Sequence, residues 1–275
     1  MQRLRRLFLT PAALVMVTLF SVPMLIVCTY SLLSRGPYGG VLQPWTLENY
    51  QRVFDPLYLS ILWRSVWISA ISTTACLLLG FPLALFISRS GKRRILYLNL
   101  VMLPFWTSFL IRTYAWMSLL RDTGLVNTAL QMLHLISSPL PLLFNGGAVI
   151  LGLVYGYLPF MVLPLYATLE KMDPALLDAA QDLGASHWVA LWKVVIPLSK
   201  AGMFAGSLLV FIPCLGAYLT PDLMGGGKTV MIGNLVQNQF TNSRDWPFGS
   251  ALSLLLMAIV LVLLRLIARR EETLL

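Results

Sequence analysis

Tyr218 and Asp222 stand four residues apart, a spacing that stacks two side chains on one face of a helix. An aromatic ring beside a carboxylate is binding chemistry for an ammonium group, because ring face and negative charge together replace water around the cation. Pro221 lies between them and disfavours regular helix beyond Thr220. Backbone freed there must be satisfied by a cavity or a neighbour. The pair therefore reads as a gate at the outer end of a membrane span. A plainer reading stays open, in which Asp222 caps the following turn and binds Lys228 across a Gly run. Asp122 and Asp245 are the other acids near that side, and Trp106, Tyr114, Trp116, Tyr155 and Tyr157 are the other rings in or near spans. Packing and the interfacial aromatic belt are the ordinary roles of any one of them.

Other chemistries find little support. His134 lies in a loop and His187 in a short amphipathic segment, with no cluster at metal-ligand spacing and no catalytic constellation. Cys28, Cys76 and Cys214 each sit inside an apolar run, which suggests neither a disulfide framework nor a metal site. Gly225-Gly-Gly-Lys228-Thr229 imitates the tail of a phosphate-binding loop, but Asp222 stands where that loop needs its first Gly. No nucleotide site follows. Arg112 is the one clearly intramembrane charge, a functional candidate by default. Its sign repels a cation, so a structural role, pairing with a carbonyl or carboxylate across helices, is the expectation.

These residues are carried on membrane spans. The 275-residue chain is 58% hydrophobic and 11% charged, with a mean hydropathy of +0.78, whereas soluble domains carry about 25% charged residues. Six apolar runs are each long enough to cross the hydrocarbon core: 7–33, 59–88, 95–120, 146–169, 198–221 and 248–268. The first is too long, and lacks the small-residue site, for a cleaved signal peptide. Thr46-Leu-Glu-Asn-Tyr can start a short interfacial helix in the loop after it. The net charge of +9 lies in short clusters beside apolar runs, a topology signal and not a nucleic-acid surface. With the N-terminus inside, the inner segments hold Arg3, Arg5, Arg6, Arg89, Lys92, Arg93, Arg94, Lys171, Lys193, Lys200, Arg265, Arg269 and Arg270. The outer loops hold only Arg35, Arg52, Arg121, Lys228 and Arg244. Both termini are therefore expected in the cytoplasm.

One stretch between spans reads differently. Asp173 and Pro174 suit the N-cap and first position of a helix carrying Leu176, Ala179, Ala180 and Leu183 on one face. Gly184 is placed to end it in the left-handed conformation. Ser186 can cap a second helix with Val189, Trp192 and Val195 on its apolar face, before Pro197 interrupts it. The result is a knuckle of two short helices, although the same hairpin could simply lie on the membrane.

Asp178-Ala179-Ala180, Gly184 and Val194-x-Ile196-Pro197 resemble the EAA loop of bacterial ABC importer permeases, with Asp for Glu and conservative changes at Val194 and Ile196. Segments 104–116, 152–166, 222–234 and 239–249 are similar to spermidine/putrescine permease subunits. Many relatives carry an acid just after the Gly of the fifth span, where this chain has Gly216-Ala217. The resemblance implies an all-α, six-span inner-membrane permease of a type I importer, whose cytoplasmic coupling loop (170–197) docks on an ATPase through Asp178, Ala179, Ala180, Gly184, Ala185 and Ser186. It divides the chain into an N-terminal helix and periplasmic loop (1–58), a permease core (59–268) and a tail (269–275). It also implies a second homologous permease, two ATPase subunits holding ATP and Mg, a periplasmic binding protein, and a polyamine path for which Tyr218, Asp222, Trp106, Tyr114 and Lys228 are the candidates. No cofactor is expected in this chain, and no enzymatic activity. The alternatives are another small solute (thiamine, iron, an opine, a phosphonate) or a stand-alone secondary transporter.

Overall fold

The computed structural model describes the backbone of residues 2–272 and the side chains of residues 10, 11 and 14–265. The side chains of Arg3, Arg5, Arg6, Arg269 and Arg270 lie outside the described set, as do residues 273–275 of the tail. In chain order, α1 (Gln2–Ser31) leads into an antiparallel pair, β1 (Leu33–Arg35) and β2 (Val41–Trp45), then α2 (Glu48–Val53) and α3 (Pro56–Ser88). A 3-10 turn (Gly91–Arg93) precedes α4 (Arg94–Met102), a second (Leu103–Trp106) precedes α5 (Phe109–Leu120), and α6 (Leu125–Met132) follows. Next come α7 (Gly146–Glu170), α8 (Ala175–Asp182), α9 (His187–Ala190), a π-helical segment (Leu191–Val195), α10 (Ile196–Leu198) and α11 (Lys200–Leu215). Then follow α12 (Leu219–Gly225), α13 (Ile232–Thr241) and α14 (Trp246–Glu272).

Four of these helices, α1, α3, α7 and α14, are each long and apolar enough to span a membrane. Two bent pairs raise the number to six: Gly91–Trp106 with Phe109–Met132, bent by 88°, and His187–Leu198 with Lys200–Leu215, bent by 65°. The protein is an all-α polytopic membrane protein, with its third span broken where continuous helix was expected and its fifth broken earlier than Pro221 implied. In the third, Pro104 lies in the 3-10 turn, and Thr107 and Ser108 then turn extended (ψ 150° and 137°). In the fifth, α11 stops at Leu215 and helix restarts at Leu219, so the break precedes Pro221 instead of following Thr220. Pro221 falls in the first turn of α12, where a missing amide hydrogen forfeits no helical bond. The loops also hold elements that no periodicity announced: the β pair, α6 and α13. The short helix expected from Thr46 is α2, and the Thr46 hydroxyl accepts from the Glu48 amide at 3.1 Å.

The chain divides into two compact units, residues 1–61 with 235–275, and residues 62–234. In the first, α14 packs along α1, and buried Asn49 donates to the carbonyls of Ser31 (3.0 Å) and Leu33 (2.8 Å). Arg52 pairs with Asp245 at 3.0 Å and lies 4.1 Å from the centre of the Phe248 ring. Burial lowers the Arg52 pKa, but the hydrogen bonds and charges of Asp245 and Tyr58 together outweigh it and hold the guanidinium above its ordinary value. Asp245 also caps α14, accepting from the Phe248 amide at 3.2 Å. Its side chain is 2% exposed. This acid is committed to Arg52 and is not free for a passing cation.

In the second unit α7 is the central element, with Leu153, Met161, Val162 and Leu165 fully buried. Helix α11 crosses it closely at Gly202 and Gly206, where added β-carbons would lie 2.5 Å from Thr168 Oγ1 and 2.7 Å from Met161 Sδ. Small residues four apart allow such backbone approach between membrane helices, where packing and not hydrophobic burial drives association. Helices α5 and α12 pack on the same element.

Candidate functional site

The two breaks create a cavity. Phe105 from the 3-10 turn, Phe109 and Arg112 from α5, Gly156, Tyr157 and Phe160 from α7, and Pro213 with residues 216–220 enclose about 400 Å³. Helix α11 can stop at Leu215 because Gly233 supports the non-helical link after it. A β-carbon at Gly233 would lie 2.4 Å from the Ala217 carbonyl oxygen and 2.5 Å from that of Gly216, so only glycine fits. The Tyr157 hydroxyl makes a long contact, 3.5 Å, to the Pro213 carbonyl oxygen.

Arg112 reaches this cavity without the carbonyl or carboxylate partner expected of it. Its Nε and Nη1 are buried and unbonded, and its guanidinium carbon lies 4.8 Å from the Phe105 ring centre and 5.6 Å from that of Phe109. The Thr220 hydroxyl, on the same wall, is also buried and unbonded. Desolvating a charge costs several kcal/mol after relaxation, while each ring contact contributes about 0.5–2 kcal/mol. The rings soften the penalty and do not cancel it. The cavity thus offers aromatic walls, one cation and the buried, unbonded Thr220 hydroxyl, and no acid lines it.

Of the five expected path residues, Tyr218 alone lines the cavity. Trp106 is 80% exposed and Tyr114 49% exposed, and neither lies on its walls. Asp222 is exposed one helical turn beyond Tyr218, its amide donating to the Tyr218 carbonyl at 3.0 Å. The ion pairs among the described residues are Arg52–Asp245 and Arg94–Glu170, so Asp222 does not pair with Lys228. Phe105, Phe109, Phe160 and Thr220 were not singled out by sequence. Phe109, three residues before Arg112 on one helix, was the available signal.

The knuckle is built largely as its residues imply. Asp173 accepts from the Ala175 amide at 3.0 Å, and α8 follows. Gly184 has φ +84°, its amide donates to Gln181 (2.8 Å), and the Ala185 amide donates to Ala180 (3.0 Å). These two bonds form a Schellman motif, which requires the left-handed residue. Ser186 caps α9, accepting from the Val189 amide at 3.4 Å. The second apolar face, expected at Val189, Trp192 and Val195, is met in part: Val195 is buried, with Ala190 beside it, whereas Val189 and Trp192 are exposed, as is Trp188. The π-helical segment re-phases the helix, and its wider turn accommodates Pro197 within α10. The chain bends two residues later, at Ser199. Asp178, Ala179 and Ser186 are exposed, Ala180 and Ala185 half-buried, and Leu183 is 90% exposed. The knuckle thus presents apolar side chains that nothing in its own unit covers. Among the described residues no group of three or more His, Cys, Asp or Glu could hold a metal ion.

Comparison with known proteins accords with this construction. The chain is 45% identical over 254 residues to the spermidine/putrescine transport system permease protein PotB of Escherichia coli (strain K12), covering 92% of each chain. It is 42% identical over 254 residues to its counterpart from Haemophilus influenzae, covering 92% of this chain and 89% of that one. A crystal structure of a bacterial ABC transporter involved in the import of the acidic polysaccharide alginate shares the fold, with a TM-score of 0.74 at 18% identity over 98% of this chain and 95% of that chain. Four to six spans among the described residues, and a match of residues 65–270 to the family, lead to one conclusion: the chain belongs to the binding-protein-dependent transport system inner membrane components.

Proposed function

We propose that this chain is one permease of an ATP-driven importer for polyamines such as spermidine and putrescine. The observation that carries the reading is its likeness, over 92% of the chain, to spermidine/putrescine permeases of two bacteria. In this reading a second, homologous permease faces it across the path and a periplasmic binding protein delivers the substrate. Two ATPase subunits hold ATP and Mg; this chain holds neither. The permease core is taken as residues 59–268, and both termini and residues 170–197 face the cytoplasm.

The knuckle is the coupling element. Asp178, Ala179, Ala180, Gly184, Ala185 and Ser186 form the contact with the ATPase, and the small side chains let the partner's surface come close. Closure of the ATPase pair on ATP moves the knuckle as a rigid piece, and the spans rock to open the path outward and then inward. On the path, Tyr218 offers a ring face to an ammonium group and Asp222 stands one helical turn beyond it; Trp106, Tyr114 and Lys228 are taken as further contacts outside the cavity wall. Arg112 repels a polycation, so carboxylates that bind the substrate within the membrane come from the facing permease.

The test is ATP hydrolysis by the complete reconstituted complex. Binding protein loaded with spermidine is expected to stimulate hydrolysis above the empty binding protein. Loading with thiamine, ferric iron or a phosphonate is expected not to do so. Stimulation by one of those solutes, with none by spermidine or putrescine, overturns the substrate assignment.

A further inference from the structure

The apolar length of α3 ends at Ser88, and the chain then reverses through the 3-10 turn into α4. Between the end of α3 and the start of α4 lies a second, more open groove of about 560 Å³. Its floor is apolar, formed by Pro82, Leu85, Phe86 and Tyr97, with the Phe86 and Tyr97 rings 5.2 Å apart. Arg89 and Arg93 stand at its rim, both exposed. Arg94 is taken by Glu170, and neither Arg89 nor Arg93 pairs with a carboxylate among the described residues.

We propose that this groove is a binding site for an anionic phospholipid, with the headgroup phosphate between Arg89 and Arg93 and an acyl chain along Leu85, Phe86 and Tyr97. The position fits the charge. A span that ends at Ser88 places the following residues in the headgroup layer, where basic side chains meet negative lipid. Guanidinium forks suit phosphate oxygens, which they bind in parallel hydrogen bonds. The apolar floor suits a lipid better than free phosphate, which has nothing to lay on it. The surface leading from the floor, at Leu79, Phe86 and Leu96, is exposed and apolar, as a lipid-facing wall is. Two arginines without a carboxylate favour a net negative headgroup, because a zwitterionic lipid brings its own ammonium group to compete for the phosphate.

The experiment is native mass spectrometry of the complete complex, purified in detergent and supplied with equal phosphatidylglycerol and phosphatidylethanolamine. The wild type is expected to retain phosphatidylglycerol preferentially. The Arg89→Gln/Arg93→Gln complex is expected to lose it by roughly tenfold or more, while Arg121→Gln, an exposed arginine outside the groove, retains it. Equal retention of both lipids by the wild type overturns the site, and that measurement needs no variant to fold. Undiminished retention in the double variant overturns it as well, and so does displacement of the lipid by millimolar inorganic phosphate.

Discussion

The Arg112 guanidinium lies 4.8 Å from the centre of the Phe105 ring, across the break in the third span, with its Nε and Nη1 buried and unbonded. That contact ties the two halves of the broken span together. In a double-mutant cycle with Phe105→Leu and Arg112→Met, thermal unfolding of the purified complex is expected to show a coupling of about 1 kcal/mol. Strictly additive effects would remove the cation–π contact from the account.

Gly184 has φ +84°, and an added β-carbon there would meet nothing within 4 Å. A substitution is therefore strained by backbone conformation alone, without a clash. Gly184→Val is expected to cost roughly 1–2 kcal/mol and so to depopulate the turn by about 5–30-fold. The complex should assemble while uptake falls and ATP hydrolysis persists. Gly184→Asn, which tolerates the left-handed region, should retain most uptake. Equal transport by all three proteins would show that the knuckle is not the coupling element.

How much of this was legible in the sequence depended on local chemistry. Gly184, Ser186 and Asp173 act through neighbours within five residues, so type and spacing located the knuckle. The spans were legible from apolar length alone. Their breaks were less so: Pro104 and Gly216 sit inside runs long enough to cross as continuous helix, and what permits the second break is Gly233, seventeen residues away at the start of α13. The exposure of Trp192 was hidden because the π turn that begins one residue before it shifts the phase that a 3.6-residue period assumes. The pairing of Asp245 with Arg52 joins residues 193 apart, and no spacing rule reaches so far.

Gly233 lets the Gly216 and Ala217 carbonyls come within a distance that no β-carbon allows. Gly233→Ala is expected to push the link outward and destabilise the complex by about 1–3 kcal/mol, read as a lower midpoint in thermal unfolding. An unchanged midpoint would mean that the break holds without this contact.

Asp222 is exposed in the first turn of α12 and makes no ion pair with Lys228. Asp222→Asn keeps a hydrogen-bonding, turn-compatible side chain and removes the charge. If Asp222 meets the arriving cation, the variant complex should assemble normally and show weaker apparent affinity in spermidine uptake. Unaltered affinity and rate would take Asp222 off the path.

The central claim, that this permease carries polyamine at the expense of ATP, is tested most directly by uptake into proteoliposomes. The complete complex, with ATP on the ATPase side and spermidine-loaded binding protein on the other, is expected to accumulate radiolabelled spermidine. Excess putrescine should compete, and a non-hydrolysable ATP analogue should abolish accumulation. Accumulation that proceeds equally without ATP, or hydrolysis and binding protein intact with no spermidine or putrescine entering, would contradict it.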